Sequence, residues 1–345
     1  KLDLKLHVES LLQKIQKNWE TYQLALPENK QKNRNSQKGP LEVIVCVSGG
    51  SDSVALFYLL QRLSTLLRLK LHVLHFNHHL RTEAQQEQDF VESLAKLYKI
   101  PFHYKTAKHL KHGQPGLQES ARNWRIEESC LLLESLGGGC IATGHHADDQ
   151  IETFLLKWLR GSHISNLQGM RWKNTPFIRP LLNCSKLELQ VFLKNNNLTW
   201  MEDSSNQSNA YLRNRVRLEL VPLLEELSRQ GLQSRISDMS GQSKLLRECL
   251  DSQYEKWRLH CQNNKSESPE ILSLNDLEKA NDLLQQEIMH NFINSQTELK
   301  LSYTKLQNIF ELIHTDNNNW QFLLSKKWSI FRSVNNLELH LNSES

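Results

Sequence analysis

Apolar and polar residues follow two different periods along this chain. Between Leu41 and about residue 160, short apolar runs alternate with longer stretches whose apolar residues recur at helical spacing. Repeated β–α units of this length predict an α/β fold with a doubly wound parallel sheet. Strands are predicted at 41–47, 70–76, 100–105 and 139–143, and helices at 54–67, 82–98, 117–136 and 147–160.

The flanking regions have a different character. Residues 4–24 place apolar side chains on one helical face, whereas residues 28–39 contain no apolar side chain and are predicted to be a polar linker. Beyond about residue 230 the pattern predicts a second, mainly helical domain that closes with a small sheet. Further helices are predicted at 185–196, 213–229, 234–260, 275–294 and 303–315. The expected regions are 1–39 with a helix and linker, 40–222 with the parallel sheet, and 223–345.

Composition narrows the class of protein. A hydrophobic fraction of 39% and a charged fraction of 23% are typical of soluble globular chains. No apolar run is long enough to span a bilayer and no secretory signal is evident, so no membrane association is expected. The six cysteines form no Cys-x-x-Cys pair, which predicts reduced thiols in a cytosol-like compartment.

Positive charge is concentrated in parts of the chain. The net charge of the whole sequence is only +4. Residues 157–217 hold ten Lys and Arg against three Asp and Glu, a local net charge of +7 (10 − 3). Residues 1–39 hold eight against four, a net charge of +4 (8 − 4). A local excess of positive charge of this kind indicates a surface that could bind a polyanion such as a nucleic acid.

A Gly-rich loop follows the first predicted strand and precedes a helix. Adjacent glycines let the backbone turn sharply and approach a ligand, and the helix start offers free amides and a positive dipole end to an anion. The loop lacks the Gly-Lys-Ser/Thr of a Walker loop and the spaced glycines of the dinucleotide fingerprint. A plain turn capped by Ser or Asp is the alternative, but it accounts for only one polar side chain. The loop is Ser48-Gly49-Gly50-Ser51-Asp52-Ser53.

The second predicted strand ends among four histidines between residues 72 and 79. Strand alternation sends His75 and Asn77 to one face and His72 and His78 to the other, so a metal site is disfavoured. His75 or Asn77 is expected near a bound nucleotide, whereas His72 is expected to be structural.

The fourth predicted strand is followed by His145 and an acidic helix start. Asp149 and Glu152 are three residues apart and share a face if the helix begins near Ala147. Carboxylates beside a triphosphate are natural Mg²⁺ ligands, and one of them could instead serve as a base for an attacking amine. An acidic helix N-terminus stabilised by its dipole is the alternative, which suits Asp148. Zinc is unexpected because no His-Glu-x-x-His or Cys cluster is present.

Two arginine-rich stretches are candidates for phosphate contacts. Arg122 and Arg125 are three apart on a predicted helix, and their spacing fits phosphate binding and a solvated surface equally well. Arg213, Arg215 and Arg217 follow a polar turn; arginine is the preferred residue for phosphates and stacked bases, and a solvated basic face is the alternative.

Taken in order, these motifs resemble the tRNA(Ile)-lysidine synthetases, a group of PP-loop (N-type) ATP pyrophosphatases. The resemblance spans residues 41–222 and implies adenylation of the wobble cytidine of a CAU-anticodon tRNA(Ile), followed by ligation of free L-lysine. It implies release of AMP and pyrophosphate. The motifs are Ser48–Ser53, His75–Arg81, Gly144–Thr153, Arg160–Ser162, Leu167–Met170, Ile178–Leu181, Glu202–Asn206 and Arg213–Arg215.

The resemblance also implies roles for individual residues. The catalytic residues would be Asp149, Glu152, His145 and Arg125, and the metal ligands Asp52 and Asp149. The ATP-binding residues would be Ser48, Gly49, Gly50, Ser51, Asp52, Ser53, His75 and Asn77. The tRNA-binding residues would be Arg122, Arg160, Arg213, Arg215 and Arg217, with further tRNA contacts from 223–345.

Cofactors and partners follow from the same resemblance. ATP and Mg²⁺ are the expected cofactors, and CAU-anticodon tRNA(Ile) and free L-lysine the expected partners, with a homodimer left open. The expected compartment is the cytoplasm, or the plastid stroma for an organellar protein. Two rivals remain: a tRNA thiolase on the same ATP loop, disfavoured by the scattered cysteines, and a non-catalytic RNA-binding protein, which would not need Asp52, Asp149 and Glu152 beside a phosphate loop.

Overall fold

The chain divides into two compact units in a computed structural model. One unit comprises Lys1–Thr153 and Met170–Gln233, and the other Phe154–Gly169 and Ser234–Ser345. The linker predicted at 28–39 lies outside the described residues except for Gly39. The structure describes residues 2–24, 39–77, 84–107, 116–202, 212–229, 231–263, 271–299 and 301–342.

The first unit is built on a six-stranded sheet. Its strands are β1 Leu41–Cys46, β2 Leu69–Asn77, β3 Phe102–Thr106, β4 Cys140–Ala142, β5 Lys173–Asn174 and β6 Phe177–Ile178. The strand order is β3-β2-β1-β4-β6-β5, and every neighbouring pair is parallel except β5 with β6. The carboxyl ends of β1, β2, β4 and β6 therefore meet at one edge, where ligands bind in sheets of this class.

Helices precede, connect and follow these strands. They are α1 Leu2–Thr21, α2 Ser51–Leu63, α3 Ala84–Leu97, α4 Leu117–Ser135, α5 Ala147–Leu159, α6 Lys186–Asn195, α7 Leu212–Arg215 and α8 Val221–Leu227. A π-helical segment at Val216–Leu220 joins α7 to α8. The alternation of strands and helices confirms the predicted doubly wound α/β class.

The core of the first unit holds β1 and α2 in place. Val43 and Val45 are buried in one apolar cluster with α2, while Ile44 is buried in a second cluster with Leu133 of α4. β-branched residues suit a strand that is covered on both faces. Ten of the 13 residues of α2 are buried, and each fully buried Leu or Phe stabilises the fold by roughly 1.5–3 kcal/mol. The position of the α2 N-terminus is therefore fixed by packing.

The second unit combines helices with a four-stranded antiparallel sheet. The sheet is ordered β7-β10-β9-β8, and Ile288, Met289, Ile309, Ile330 and Leu337 are almost completely buried beside it. This confirms the predicted mainly helical region with a small sheet. Its elements are α9 Leu232–Asn263, β7 Ile271–Ser273, α10 Leu274–Leu277, α11 Asp282–Thr297, α12 Tyr303–Ile313, β8 Asn319–Leu323, β9 Trp328–Ser333 and β10 Asn336–Leu341. No helix in the described part of the chain is both long and apolar enough to cross a membrane.

The structure departs from the predicted elements in a few places. The helix predicted at 275–294 is two helices, because the Asn281 side chain caps the start of α11 by accepting from the Leu284 amide. The short β5–β6 hairpin and β7 were not predicted, since two or three residues carry no detectable period. The division after Gln233 lies beyond the predicted boundary at 222/223, and 154–169 joins the second unit.

Candidate active site

The loop after β1 is closed by its own hydroxyl groups. The Ser48 amide donates to Ser53 Oγ at 3.1 Å, and the Ser53 hydroxyl donates to the Gly50 carbonyl at 3.0 Å. α2 starts at Ser51 with Gly50 as its N-cap, and no side chain caps its first amides. The positive end of a buried helix is therefore open toward the loop, which suits a phosphate group better than a side-chain-capped turn.

Two glycines permit the close packing of this region. Gly49 has φ +102°, a conformation that side chains other than glycine rarely adopt, and its carbonyl accepts from the Met201 amide at 2.9 Å. Gly144, directly after β4, packs so tightly that a Cβ there would lie 3.1 Å from the Asp52 carbonyl and the Ser53 nitrogen. The segment after β4 thus touches the start of α2.

His146 lies buried between three carboxylates. Its Nε2 is 3.4 Å from Asp52 Oδ2 and 3.5 Å from Asp149 Oδ2, and its Nδ1 is 3.1 Å from Asp148 Oδ2. Burial alone would lower the pKa of His146, but the aspartates raise it to about 10, so the ring is an imidazolium at neutral pH. His146 joins the phosphate loop to the start of α5 by charge.

Two of the carboxylates around His146, those of Asp52 and Asp148, have lowered pKa values and are ionised. Burial would raise the pKa of Asp52, but the hydrogen bond and charge of His146 outweigh it and the pKa is lowered. The pKa of Asp148 is lowered in the same way, against burial, by His146 and by the Lys186 amide that donates to it at 2.8 Å. Sequence reasoning singled out His145 and gave His146 no role; the available signal was a second histidine separated by one residue from two consecutive aspartates.

Asp149 and Glu152 share a helical face, as predicted, and both contact the same two arginines. Arg213 Nε donates to Glu152 Oε2 at 2.9 Å, and Arg217 donates to both oxygens of Glu152. Asp149 Oδ2 accepts from the His146 amide at 3.0 Å, while among the described residues its Oδ1 has only longer contacts of 3.4 and 3.5 Å with Arg213 and Arg217. The side chain of Glu152 is 3% exposed and that of Asp149 is 11% exposed, so Asp149 Oδ1 is the more available oxygen.

A cavity of about 850 Å³ opens beside the phosphate loop in the first unit. Its size is in the range of small-molecule sites. One wall carries Ser48, Gly50, Asp52 and Ser53, and the cavity is also lined by His145 and by Arg122, Arg125, Arg179 and Arg213. Residues that were predicted to bind the nucleotide, to take part in catalysis and to bind RNA therefore line the same cavity.

The arginines of the cavity act on one another and on His145. Enclosure by protein lowers the pKa of Arg125 and of Arg179, and the charge of Arg122 lowers both further. Burial lowers the pKa of His145 to about 4. The charge of Asp149 raises this pKa, whereas the charges of Arg179, Arg213 and Arg122 lower it further. His145 is therefore neutral, and its Nδ1 is 2.9 Å from the Thr143 hydroxyl.

His75 and Asn77 are buried at the end of β2. His75 Nδ1 donates to the Val47 carbonyl at 2.9 Å, and Asn77 Nδ2 donates to Gln88 Oε1 at 3.0 Å. Burial lowers the pKa of His75. In this arrangement His75 supports the backbone that leads into the phosphate loop, and direct contact of either residue with a nucleotide stays a prediction.

The described residues include no cluster of three or more His, Cys, Asp or Glu side chains placed to hold a metal ion. His72 contacts other side chains of the sheet: its Nδ1 lies 3.2 Å from His103 Nε2, and its Nε2 lies 2.8 Å from Glu42 Oε2. These contacts agree with the structural role expected for His72. For Mg²⁺, an ionised carboxylate beside a phosphate site is the fitting donor, because this ion takes few protein oxygens and shares phosphate oxygens. Asp52 meets that description, since its one ion-pair contact among the described residues is with His146, whereas Asp149 faces Arg213 and Arg217 as well as His146.

The remaining predicted RNA-binding arginines are exposed. Arg215 pairs with Glu219 one helical turn away, at 3.1 Å. Arg160 belongs to the second unit, and its side chain is exposed there. Arg213 and Arg217, predicted in the same group as Arg215, are instead the partners of Glu152.

Comparison with known proteins identifies the domain. Residues 20–224 match the family described as the PP-loop domain. A tRNA(Ile)-lysidine synthase of Enterococcus faecalis is 35% identical over 218 residues, which cover 62% of this chain and 46% of that protein. The tRNA(Ile)-lysidine synthase of Symbiobacterium thermophilum is 39% identical over 191 residues, covering 53% of this chain and 40% of that protein. The chain spans about half the length of the curated relatives it matches.

A solved structure supports the fold independently. The U34-tRNA thiolase of Methanococcus maripaludis superposes with a TM-score of 0.53 and 16% identity, over 71% of this chain and 80% of that chain. At that identity the likeness concerns the fold alone. Because the family match covers more than half of the residues and the relatives bear out the resemblance found in the motifs, the chain belongs to the ATP-binding PP-loop domain family.

Proposed function

We propose that this protein makes lysidine by ligating free L-lysine to C2 of the wobble cytidine in a CAU-anticodon tRNA(Ile). ATP is consumed, and AMP and pyrophosphate are released. The observation that carries the proposal is the pairing of an open helix N-terminus with an arginine-bound carboxylate pair at one edge of one sheet. The names of the relatives, all tRNA(Ile)-lysidine synthases, supply the substrates.

The first step activates the cytidine. The free amides at the start of α2, with the hydroxyls of Ser48 and Ser51, hold the pyrophosphate end of ATP. The cytidine O2 attacks the α-phosphorus, a new O–P bond forms, and the bond to pyrophosphate breaks. Arg125, which lines the same cavity, stabilises the negative charge on the α-phosphate. His145 is neutral and serves as a hydrogen-bonding group toward the base.

The second step transfers lysine. The ε-ammonium of lysine loses a proton, its nitrogen attacks C2, and the C2–O bond to AMP breaks. Asp149 Oδ1 is the acceptor that this site offers for the amine, because it has only long contacts with the arginines. Glu152, whose oxygens both contact guanidinium groups, fixes Arg213 and Arg217 instead.

Asp52 is the residue that would hold Mg²⁺, since it is ionised and lies at the start of α2. When bound, the ion would neutralise phosphate charge during adenylation. His146 keeps the Asp52 carboxylate oriented toward the segment after β4. Asp149 as a second ligand, as the sequence suggested, stays the weaker assignment.

RNA binding uses the basic residues that do not pair with Asp149 or Glu152. Arg122 is in the cavity, and Arg160 and Arg215 are exposed. We assign residues 40–222 to the catalytic domain and expect further tRNA contacts from 223–345. A homodimer and a cytoplasmic or stromal location stay predictions.

The thiolase alternative is disfavoured by the cysteines. Burial raises the pKa of Cys46, Cys140 and Cys184 to about 12, so these thiols stay protonated and unreactive at neutral pH. No disulfide joins the cysteines of the described residues. A sulfur-carrying mechanism needs a reactive thiolate or a cysteine-bound cluster, and neither is evident in the described residues.

The test is nucleoside analysis of a CAU-anticodon tRNA(Ile) transcript after incubation with the protein, ATP, Mg²⁺ and labelled lysine. We expect lysidine in digests and AMP, not ADP, as the nucleotide product. The matched control is the same transcript with uridine at the wobble position, which should take up no lysine. Formation of ADP, or of a thiolated base, would refute the proposed function.

A further inference from the structure

Arg179 lies where a third strand end meets the cavity. It belongs to the basic stretch 157–217 and to the motif Ile178–Leu181, but the two-step reaction gives it no role. It directly follows β6, which is parallel to β4 with Ala142 opposite Ile178. The Ile178 carbonyl accepts from the Thr143 amide at 3.0 Å, and the Thr143 hydroxyl is 2.9 Å from His145. The backbone before Arg179 is thus bonded to the segment that carries His145.

The guanidinium of Arg179 is oriented but not neutralised. Its Nη1 donates to the Arg171 carbonyl at 2.8 Å, and its Nε is buried with no acceptor among the described residues. Within that part of the chain, Arg122, Arg125 and Arg179 have no carboxylate within ion-pair distance, whereas Arg213 is paired with Glu152. A buried donor without an acceptor costs stability, so a site that keeps one is suited to a ligand that supplies the acceptor.

The position of Arg179 distinguishes its ligand from the ATP phosphates. The strand order places β4 between β1, which leads into the phosphate loop, and β6, which leads into Arg179. Three arginines without carboxylate partners exceed what a single carboxylate would neutralise. The proposed RNA substrate brings a phosphate on each side of the target nucleotide, and arginine binds phosphate through two parallel N–H donors.

We infer that Arg179 binds a backbone phosphate next to the target cytidine and so places that base between the phosphate loop and His145. This inference rests on the proposed function, because it takes the RNA substrate from there. It adds a positioning contact on the β6 side of the site that neither the loop nor the acidic pair provides.

The test compares Arg179→Gln with Arg171→Gln in the full chain. Arg171 is exposed, loses the same charge on substitution, and contributes only its backbone carbonyl to Arg179. The probe is the anticodon stem–loop of CAU tRNA(Ile), whose affinity is measured between 50 and 200 mM salt. We expect Arg179→Gln to weaken binding about tenfold and to lower the salt slope by somewhat less than one unit. Arg171→Gln should change the affinity by no more than about twofold and should leave the salt slope unchanged.

Further measurements separate this inference from its rivals. ATP affinity and the KM for lysine should stay within about twofold of wild type in Arg179→Gln. Arg179→Lys, which keeps the charge but not the fork of donors, should restore the slope and part of the affinity. That rescue also excludes a folding defect.

Each alternative result has a definite meaning. A raised KM for lysine with unchanged RNA affinity would make Arg179 a carboxylate-binding residue and overturn the inference. Loss of ATP affinity would make Arg179 a nucleotide contact and would overturn the inference as well. If wild type forms lysidine and Arg179→Gln binds the stem–loop like wild type, only the inference fails; if wild type binds no stem–loop, the proposed function fails with it.

Discussion

The two strand ends that form the candidate site depend on different kinds of interaction. The loop after β1 relies on backbone amides and hydroxyls, and among the described residues the hydrogen bonds of its serine side chains stay within Ser48–Ser53. The segment after β4 relies on charged side chains whose partners are distant. Arg213 and Arg217 reach Glu152 from 61 and 65 positions further along the chain.

This difference determines how each half tolerates change. A loop closed by neutral hydrogen bonds loses about 0.5–1.5 kcal/mol when one bond is removed. A buried ion pair that loses one partner leaves an uncompensated charge, which costs about 3–5 kcal/mol. Changes in the loop should therefore remove function with little loss of stability, whereas changes in the acidic segment should lower stability as well as activity.

The largest effect is expected at Asp52, the one charged residue of the loop. Asp52→Ala should reduce AMP and pyrophosphate formation to the background of the assay, because the carboxylate that we propose as the Mg²⁺ ligand is gone. The fold should stay intact, as thermal melting will show. Asp148→Asn is the matched control, since Asp148 contacts the same histidine at the opposite ring nitrogen. An active Asp52→Ala enzyme would remove the loop from the mechanism.

The next effect separates the two acidic residues. Asp149→Asn should slow the discharge of adenylated tRNA by lysine about a hundredfold to a thousandfold, in the range of general-base contributions. Adenylation should persist. Glu152→Gln should weaken both steps, because Arg213 and Arg217 lose their shared partner. Single-turnover assays that follow AMP and lysidine separately measure the two steps in each variant. Near-normal rates of both steps in both variants would show that the two residues only stabilise the helix N-terminus.

A smaller effect distinguishes two arginines that are two positions apart. Arg217→Gln should lower the single-turnover rate about tenfold or more, because it leaves Glu152 partly uncompensated. Arg215→Gln removes an exposed charge paired with Glu219 and should change only tRNA affinity, lowering the salt slope by about one unit or less. Equal behaviour of the two variants in rate and slope would contradict the division between arginines that pair with Glu152 and the RNA-facing Arg215.

The smallest effect concerns stability and pH at His146. Its pKa of about 10 in the folded chain exceeds the ordinary 6.5, so its charge stabilises the fold fully below about pH 6.5 and progressively less as the pH rises through 10. In metal-free buffer, the melting temperature of wild type should fall about 5 °C more between pH 7 and pH 10 than that of His146→Gln. His340→Gln, at an exposed histidine, should behave like wild type; an identical fall in His146→Gln would show that His146 is not charged.

The same contrast explains what the sequence could predict. The phosphate loop was found from six consecutive residues, because its geometry depends on its own glycines and on the strand and helix that flank it. Asp149 and Glu152 were found from helical spacing. The strands β1 to β4 and the helices between them were found from periodicity, within a few residues at each end.

The partners of those residues could not be predicted. Nothing in the local pattern indicates that Arg213 and Arg217 face Glu152 while Arg215 faces solvent, because that depends on how α7 packs against α5. His146 and Arg179 lie within the motifs Gly144–Thr153 and Ile178–Leu181, but no role was predicted for either residue, because their contacts are made across the sheet edge. Long-range electrostatics, unlike helix or turn propensity, leaves no periodic signal in sequence.

The most direct measurement of the central claim uses wild-type protein and ATP labelled at the α-phosphorus, first without lysine. If the loop after β1 activates the base and the segment after β4 receives the amine, labelled AMP should attach to the tRNA and remain there. Added lysine should then release that label as free AMP while lysine enters the tRNA in equal amount. Label that never enters the tRNA, or that leaves at the same rate without lysine, would contradict a two-step reaction divided between these two strand ends.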